Sequence, residues 1–251
     1  MAKQVDKKKK KASLTGELIF GIHPVIELLK AKRRKLISIY TTKPEPKAWK
    51  NIQKLLPKYP VAIQYVKRDI LTKMAGSSDH QGVVAWTQKF PFRKKFFDPK
   101  KQKFLVMLDG IQDPRNLGAI LRSAYCTGIQ GAILTQKSSC PLNAVALKSS
   151  AGLAEHMEIF VAPSAQSAAQ QLKEVGYNLY ISVFDGQDAT QCEFKEPLCM
   201  VVGSEGLGVS KNIIKHGTPV TLAQRTSDIS YNASVAAGIL LFLVGTKNNV
   251  I

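Results

Sequence analysis

Three short blocks in the C-terminal half of the chain combine glycine with amide, carboxylate and guanidinium side chains. The first block, residues 109–122, reads DGIQDPRNLGAILR and follows an apolar run. Gly110 and Pro114 favour a turn there, and Asn116 is a suitable N-cap for the helix that follows. Arg122 interrupts this apolar helix, so its guanidinium either pairs with a carboxylate or phosphate or extends to solvent.

The second block, residues 201–208, reads VVGSEGLG and also follows an apolar run. Its three glycines allow the backbone to approach a ligand closely and to adopt positive φ angles. The spacing matches neither the dinucleotide fingerprint Gly-x-Gly-x-x-Gly nor a phosphate-binding P-loop. Glu205 lies inside this glycine-rich turn, so we expect it near whatever the loop binds.

The third block, residues 230–242, reads SYNASVAAGILLF. Small polar residues precede a strongly apolar helix, and either Asn232 or Ser234 is suited to cap it. Capping explains only one of these polar side chains. Ser230 and whichever of Asn232 and Ser234 does not cap the helix are therefore candidates for a functional site.

The elements that must position these blocks alternate between strand and helix from residue 104 onward. This alternation predicts an α/β fold with a mostly parallel sheet and helices on both faces. Ligands of such sheets bind beyond the carboxyl ends of strands, which directs attention to the loops after Leu108, Leu134, Val202 and Leu222. The apolar patterns predict strands at 104–108, 131–134, 179–184, 198–202 and 219–222, and helices at 117–126, 164–175 and 235–244.

The first part of the chain has a different organisation. We predict a disordered basic tail (1–14), a small α/β domain (15–88), an exposed linker (89–103) and the catalytic domain (104–251). The small domain has helical patterns at 24–32 and 48–56 and strand patterns at 36–40, 61–66 and 82–86. The linker carries Phe92, Phe96 and Phe97 among cations, where aromatic rings either stack on bases or pack against a domain.

The positive charge is confined to the first two-fifths of the chain. Residues 1–103 contain 26 lysines and arginines against 7 acidic residues, whereas residues 104–251 contain 10 against 11. This asymmetry predicts that the first part binds a polyanion, RNA or DNA rather than membrane, although a solvated basic surface is the plain alternative.

The remaining composition excludes other classes. No apolar run reaches the ~18–20 residues of a membrane span, and no secretory signal is evident, so we expect a cytoplasmic protein. The four cysteines form no Cys-x-x-Cys pair, so no metal is implied. His23 and His80 are predicted to cap or pack, with RNA contact as the alternative.

Together, the three blocks resemble, in order and separation, the motifs of the SpoU/TrmH family of RNA ribose 2′-O-methyltransferases. The match covers residues 104–251 and includes the stretch Lys148–Gly152 ahead of Glu155-His156. Near the N-terminus, residues 20–25 (FGIHPV) and 80–82 (HQG) are similar to the substrate-binding domain of the RlmB-type subgroup. That subgroup methylates a guanosine of large-subunit (23S-type) ribosomal RNA.

The resemblance implies a C-terminal trefoil-knotted methyltransferase (SPOUT) domain, an N-terminal domain similar to the L30e fold, and a homodimer with active sites near the subunit interface. It implies S-adenosyl-L-methionine as the methyl donor. The positions that match the family's ribose site are Asn116, Arg122, Glu205, Ser230 and Asn232. Those that match its cofactor site are Gly203, Leu222 and Tyr231.

Arg122 matches the arginine that family proposals make the general base. Guanidinium groups have pKa values above ~12, which argues against easy deprotonation. We therefore hypothesise that Arg122 positions the phosphate or ribose, oriented by a bidentate pair with Glu205, with proton transfer in the RNA-bound state as the alternative role. The chain departs from its relatives in two places: residues 223–229 lack the usual glycine, and Tyr231 replaces the usual leucine. Arg225 and Asp228 also make this loop more polar. These departures bring the cofactor affinity into question.

Other functions remain open at this point. Within the same enzyme class, the target can be tRNA or another rRNA position. Outside it, the chain can be a non-catalytic RNA-binding factor for ribosome assembly that retains the fold. A nicotinamide-dependent enzyme is remote because the dinucleotide fingerprint is absent.

Overall fold

The computed structural model describes residues 16–226 and 229–251, so the predicted basic tail lies outside the described residues. The first sheet is mixed, with the strand order β1-β4-β2-β3. Strands β1 and β4 and strands β4 and β2 pair antiparallel, and β2 pairs parallel with β3. Its elements are β1 (Gly16–Phe20), α1 (Ile22–Ala31), β2 (Leu36–Thr41), α2 (Trp49–Leu55), β3 (Ala62–Tyr65), α3 (Arg68–Ala75) and β4 (Val83–Gln88).

The second sheet has six parallel strands in the order β10-β8-β9-β5-β6-β7. Its strands are β5 (Phe104–Asp109), β6 (Gly131–Thr135), β7 (Glu158–Ala162), β8 (Asn178–Asp188), β9 (Leu198–Gly203) and β10 (Thr218–Thr221). Its helices are α4 (Pro114–Cys126), α5 (Ala144–Ser149), α6 (Ala165–Glu174), α7 (Lys211–Ile214) and α8 (Ala233–Lys247).

Helices cover both faces of this parallel sheet, as the sequence predicts. Along the central strand β5, Val106 and Leu108 belong to the core that includes α4 and α8. The alternate residues Leu105 and Met107 belong to a separate core with α6 and α7. A strand buried on both sides is apolar at every position, which is why β5 reads as a continuous apolar run.

The first turn of α4 corrects one prediction. Asp113, not Asn116, is the N-cap: its carboxylate accepts the Arg115 N–H at 2.8 Å. Pro114 then occupies the first helical position, where its missing N–H costs nothing. For α8 the prediction is confirmed, because Asn232 Oδ1 accepts the Ser234 N–H at 2.9 Å.

The segment predicted as an exposed linker is packed along both domains. Phe90 and Phe97 are buried, and the Phe96 and Phe160 rings meet edge to face at 5.1 Å between centroids. The Arg93 N–H donates to Ile159 O at 2.8 Å. Packing against a domain, the second alternative for these rings, is therefore confirmed, whereas the lysines of the segment are exposed as predicted.

A buried ion pair joins the two sheets. Arg34 Nε and Nη2 donate to the two carboxylate oxygens of Glu155 at 3.1 and 2.5 Å, and both side chains are almost fully buried. Arg34 Nη1 also donates to Glu17 Oε2 at 2.8 Å. Burial raises the pKa of Glu155, and the hydrogen bonds from Arg34 oppose that rise. The fork of the guanidinium is thus one of the contacts that fix the first domain on the second, together with Arg33–Glu158 and His156–Glu27.

Several short elements have no counterpart among the predictions: β1, α3, α5, β7 and α7. Most are only four to six residues long, so too few residues are present to reveal a period. Within residues 16–226 and 229–251, no helix combines the length and apolar character needed to cross a membrane.

Candidate active site

A cavity of about 570 Å³ opens at the carboxyl ends of β9 and β10, beside the middle of β8. Most of its lining comes from four segments: 182–185 within β8, 202–209 from the end of β9 onward, 221–224 from the end of β10 onward, and 230–236 at the start of α8. Lys211 and Ile214 of α7 and Pro219 of β10 complete it. Two of the four loops expected from the sequence, those after Val202 and Leu222, therefore line the cavity. The loops after Leu108 and Leu134 do not, and the β8 segment was not expected.

The glycine-rich block forms a tight turn at the cavity wall. Ser204 and Gly208 exchange two backbone hydrogen bonds of 3.1 and 3.0 Å, so residues 205–207 project from the end of β9. A Cβ atom at Gly203 would overlap the backbone of Gly208 and Val209, and Gly208 itself has a φ of +63°. Glycine is therefore required at Gly203 for close approach of two backbone segments.

Glu205 is tied to the start of α4. The Asn116 side-chain amide donates a hydrogen bond to Glu205 Oε1. Because Asp113 caps the helix, Asn116 lies within the first turns of α4, and from there its side chain reaches Glu205. The carboxylate thus sits at the cavity with one oxygen held by an amide that belongs to a different block.

The predicted pair between Glu205 and Arg122 is not present. Arg122 is exposed, does not line the cavity, and makes no ion pair or hydrogen bond within the part of the chain that the structure describes. Six residues of helix correspond to a rotation of about 240° from Asn116 at 3.6 residues per turn. Arg122 and Asn116 therefore point to different faces of α4.

The third block contributes the opposite wall. Ser230 and Tyr231 line the cavity together with Leu222. The Tyr231 hydroxyl donates to Ala223 O at 3.3 Å, and its ring remains 42% exposed. Asn232 follows directly but does not line the cavity, because its carboxamide oxygen caps α8. Of the atypical loop, residues 227 and 228, including Asp228, lie outside the described residues.

Five of the eight predicted site residues therefore meet at one cavity: Gly203, Glu205, Leu222, Ser230 and Tyr231. Asn116 joins them through Glu205, Asn232 is adjacent in sequence, and Arg122 lies apart. Sequence reasoning missed Phe184, which lines the cavity from β8 with 64% of its surface exposed. Its only sequence signal was its position at the end of a predicted strand.

The cavity also carries formal charges of both signs. Asp185 lines it from the β8 side and Lys211 from the start of α7, in addition to Glu205. The walls between them are apolar, formed by Val202, Leu222 and neighbouring side chains. Such a mixture suits a ligand that has an apolar body and charged ends. No group of histidine, cysteine and acidic residues able to hold a metal occurs among residues 16–226 and 229–251.

The two histidines singled out by the sequence lie away from this cavity. His80 is fully buried, with Nδ1 accepting the Gly82 N–H at 3.0 Å and Nε2 beside Thr72 Oγ1 at 3.1 Å. Burial first, then the nearby charges of Arg68 and Lys148, lower its pKa. Packing is thus confirmed for His80, whereas His23 is exposed on α1, so its predicted packing role was wrong.

Comparison with known proteins identifies two family domains in the chain. The SpoU rRNA methylase family matches residues 103–242, and the RNA 2′-O ribose methyltransferase substrate-binding domain matches residues 18–93. The 23S rRNA (guanosine-2′-O-)-methyltransferase RlmB of Shewanella oneidensis is 32% identical over 234 residues, covering 90% of this chain and 95% of that protein. The RlmB protein of Haemophilus influenzae is 30% identical over 238 residues, covering 90% and 96%.

Solved structures show the same fold. A crystal structure described as an RNA 2′-O ribose methyltransferase aligns with a TM-score of 0.81 at 18% identity, covering 98% of this chain and 93% of that one. The SpoU methyltransferase AviRb of Streptomyces viridochromogenes, in complex with the cofactor AdoMet, aligns with a TM-score of 0.79 at 19% identity, covering 97% and 95%. The family match covers most of the second domain, and the RlmB relatives align over 90% of the chain. This chain therefore belongs to the SpoU rRNA methylase family and is an RNA 2′-O-methyltransferase.

Proposed function

We propose that the chain transfers a methyl group from S-adenosyl-L-methionine to the ribose 2′-hydroxyl of a guanosine in large-subunit (23S-type) ribosomal RNA. The family membership and the RlmB relatives support the substrate. The single structural observation that carries the proposal is the pair Asn116–Glu205, which places a held carboxylate on the rim of a glycine-walled cavity.

The cavity fits the proposed methyl donor in size and chemistry. Its volume of about 570 Å³ lies in the ordinary range for sites that bind small molecules. Leu222 and Tyr231 offer apolar surface to the adenosine part, and Gly203 leaves the wall free of side-chain atoms. Lys211 and Asp185 offer opposite charges to the carboxylate and ammonium of the amino-acid part. When bound, the donor supplies a methyl group activated by a positively charged sulfur.

The chain itself orients the ribose. A hydroxyl that attacks in line must be held close to the methyl group, and such positioning supplies much of the acceleration. Glu205, held by Asn116, accepts a hydrogen bond from the hydroxyl and draws off its proton as the attack proceeds. Ser230 provides a second hydrogen-bonding group at the same cavity. Arg122, which has no partner in the described part of the chain, is assigned to an RNA phosphate.

The outer face of α8 supports the proposed homodimer. Val235, Ile239 and Phe242 are 50%, 38% and 54% exposed and recur at helical spacing, so they form one apolar stripe. Tyr125, on the neighbouring α4, is also 41% exposed. A continuous apolar patch of this kind in a single chain marks an interaction surface. Arg122 is an exposed residue of α4, the helix that packs against α8, so we place it near the proposed subunit interface.

The two domains divide the work in this proposal. Residues 15–88 bind the RNA, residues 104–251 bind the donor and carry out transfer, and residues 89–103 connect them. The charge distribution supports this division, because the excess of lysine and arginine lies before residue 104.

A transfer assay with mapped products tests the proposal. The purified protein is incubated with methyl-labelled S-adenosyl-L-methionine and a transcript of large-subunit rRNA, and the RNA is digested to nucleosides. We expect label in 2′-O-methylguanosine, and labelling about 10²-fold slower or more with Glu205→Ala. Label only in tRNA would show the substrate to be wrong, and label on a base would show the acceptor to be wrong. If the protein binds RNA but transfers no label, the remaining function is that of a non-catalytic RNA-binding factor for ribosome assembly.

A further inference from the structure

The outer edge of the first sheet carries an unusual concentration of exposed apolar side chains. Strand β3 is the last strand of that sheet, and all four of its residues are exposed. Within residues 16–103, the large apolar side chains with the greatest exposure all lie between positions 59 and 70: Tyr59, Ile63, Tyr65 and Ile70, at 36–45%. We call Lys43, Tyr59, Ile63 and Tyr65 the tyrosine edge.

Both tyrosine rings of this edge are held in place. The Tyr59 hydroxyl accepts the Leu36 N–H at 3.0 Å, and the Tyr65 hydroxyl is hydrogen-bonded to Glu45. A lysine ammonium lies over each ring: Lys35 Nζ is 5.9 Å from the Tyr59 centroid, and Lys43 Nζ is 4.4 Å from that of Tyr65. The rings are therefore oriented before any partner arrives, which reduces the entropy lost on binding.

The positive charges around this edge are unpaired. Residues 43–73 contain eight lysines and arginines against two acidic residues. None of the eight forms an ion pair within the described residues. By contrast, Arg33, Arg34 and Arg93, which face the catalytic domain, are all paired with glutamates. The paired cations thus lie at the domain interface, whereas the eight unpaired ones belong to the segment 43–73 that carries the tyrosine edge, with Lys43 directly over Tyr65.

We propose that the tyrosine edge binds unpaired nucleotides of the RNA substrate. Bases stack on Tyr59 and Tyr65, and the adjacent lysines meet the phosphates of the stacked nucleotides. The inference rests on the proposed function for the identity of the RNA. A protein strand could also pair with the open edge of β3, but main-chain pairing does not require eight unpaired cations, whereas a polyanion does.

The position of the edge separates RNA anchoring from catalysis. Strand β1, at the opposite edge of the sheet, packs against α5 of the catalytic domain. With three strand spacings between β1 and β3, the tyrosine edge lies ~14 Å further from the catalytic domain than β1 does. The stacked nucleotides are therefore not the methylated one.

RNA affinity without the methyl donor tests the proposal directly. The full chain and its variants are titrated with a transcript of large-subunit rRNA. We expect Tyr59→Ala and Tyr65→Ala each to weaken binding roughly tenfold, and Tyr65→Phe, which keeps the ring, to bind as the unaltered chain does. Lys43→Ala should lower the salt dependence of binding. Lys173→Ala, an exposed lysine of the catalytic domain, is the matched control.

Ultraviolet cross-linking then locates the contact without any substitution. We expect cross-linked nucleotides on the peptide that contains Tyr59 and Tyr65. The proposal is overturned if the tyrosine variants bind RNA as Lys173→Ala does, or if cross-links lie only elsewhere. If the tyrosine variants lose binding to a ribosomal protein while their RNA affinity is unchanged, the proposal is overturned in favour of a protein partner. Donor affinity and transfer by the unaltered chain are measured separately, so failure of the proposed function is recognised independently.

Discussion

The side-chain amide of Asn116 donates a hydrogen bond to Glu205 Oε1, across 89 positions of sequence. This bond joins the start of α4 to the glycine-rich turn after β9. Among the described residues, it is the only side-chain to side-chain hydrogen bond between the first and second sequence blocks. The carboxylate at the cavity is therefore oriented by a residue that need not touch the donor.

Removal of either partner should impair methyl transfer through the same defect. We expect Asn116→Ala and Glu205→Ala each to lower the single-turnover rate, with the larger loss, about 10²-fold or more, for Glu205→Ala. Because the two residues act through one contact, the double variant should lose less than the two single losses combined. Fully additive losses would show that Asn116 does not act through Glu205.

Tyr231 should contribute to donor affinity through its ring. The ring lines the cavity, and the hydroxyl holds the backbone at Ala223. We expect Tyr231→Ala to weaken binding of S-adenosyl-L-methionine about tenfold in calorimetric titration, because the variant buries less apolar surface. Tyr231→Leu, which restores an apolar side chain, should recover most of the loss. An alanine variant with unchanged affinity would place the adenosine elsewhere.

The ion pair between Arg34 and Glu155 should dominate the stability of the domain interface. Arg34→Met leaves Glu155 buried without its partner, and breaking such a pair costs about 3–5 kcal/mol. The double variant Arg34→Met with Glu155→Met removes both charges and should be more stable than Arg34→Met alone. Urea unfolding followed by circular dichroism measures both. Equal stability of the single variant and the unaltered chain would contradict this role.

His80 should make the first domain less stable as the pH falls. Its pKa is lowered below the usual 6.5 in the folded chain, first by burial. As the pH falls through about 6.5, the unfolded chain therefore takes up a proton that the folded chain does not, and stability declines until the folded pKa is passed. The loss is at most about 1.4 kcal/mol per pH unit.

His80→Asn separates this effect from other titrations. The variant keeps an acceptor for the Gly82 N–H but cannot be protonated in this range, so its free energy of unfolding should change less between pH 7.5 and pH 5.5, measured by urea unfolding. A variant as pH-sensitive as the unaltered chain would exclude His80 as the source.

The apolar stripe on α8 should hold two copies of the chain together. We expect Ile239→Asp and Phe242→Asp to convert a dimer into a monomer in sedimentation analysis, because each buries a charge in an apolar interface. Val175→Asp is the matched control: Val175 is similarly exposed, at 39%, but lies at the end of α6. A dimer that survives both α8 substitutions would rule out this stripe as the interface.

Much of the architecture follows from local pattern. The alternation of apolar runs with amphipathic segments determines a parallel sheet covered on both faces, since the periodicity of a strand or helix depends on residues adjacent in sequence. The three blocks with chemistry were likewise visible, as was the cap of α8 by Asn232. The domain boundaries, the knot and the dimer remain predictions.

Only the tertiary structure decided which side chains meet. Asp113 rather than Asn116 caps α4, and the Asn116 amide donates instead to Glu205, which is 89 positions away in sequence. Helical rotation turns Arg122 to another face of α4. The burial of Phe97 and the exposure of Phe184 depend on partners distant in sequence. The hydrophobic period and the residue propensities predict the helix or strand that a residue belongs to, because they depend on neighbours in sequence. Contacts and burial depend on how the elements pack, which involves residues far apart in sequence.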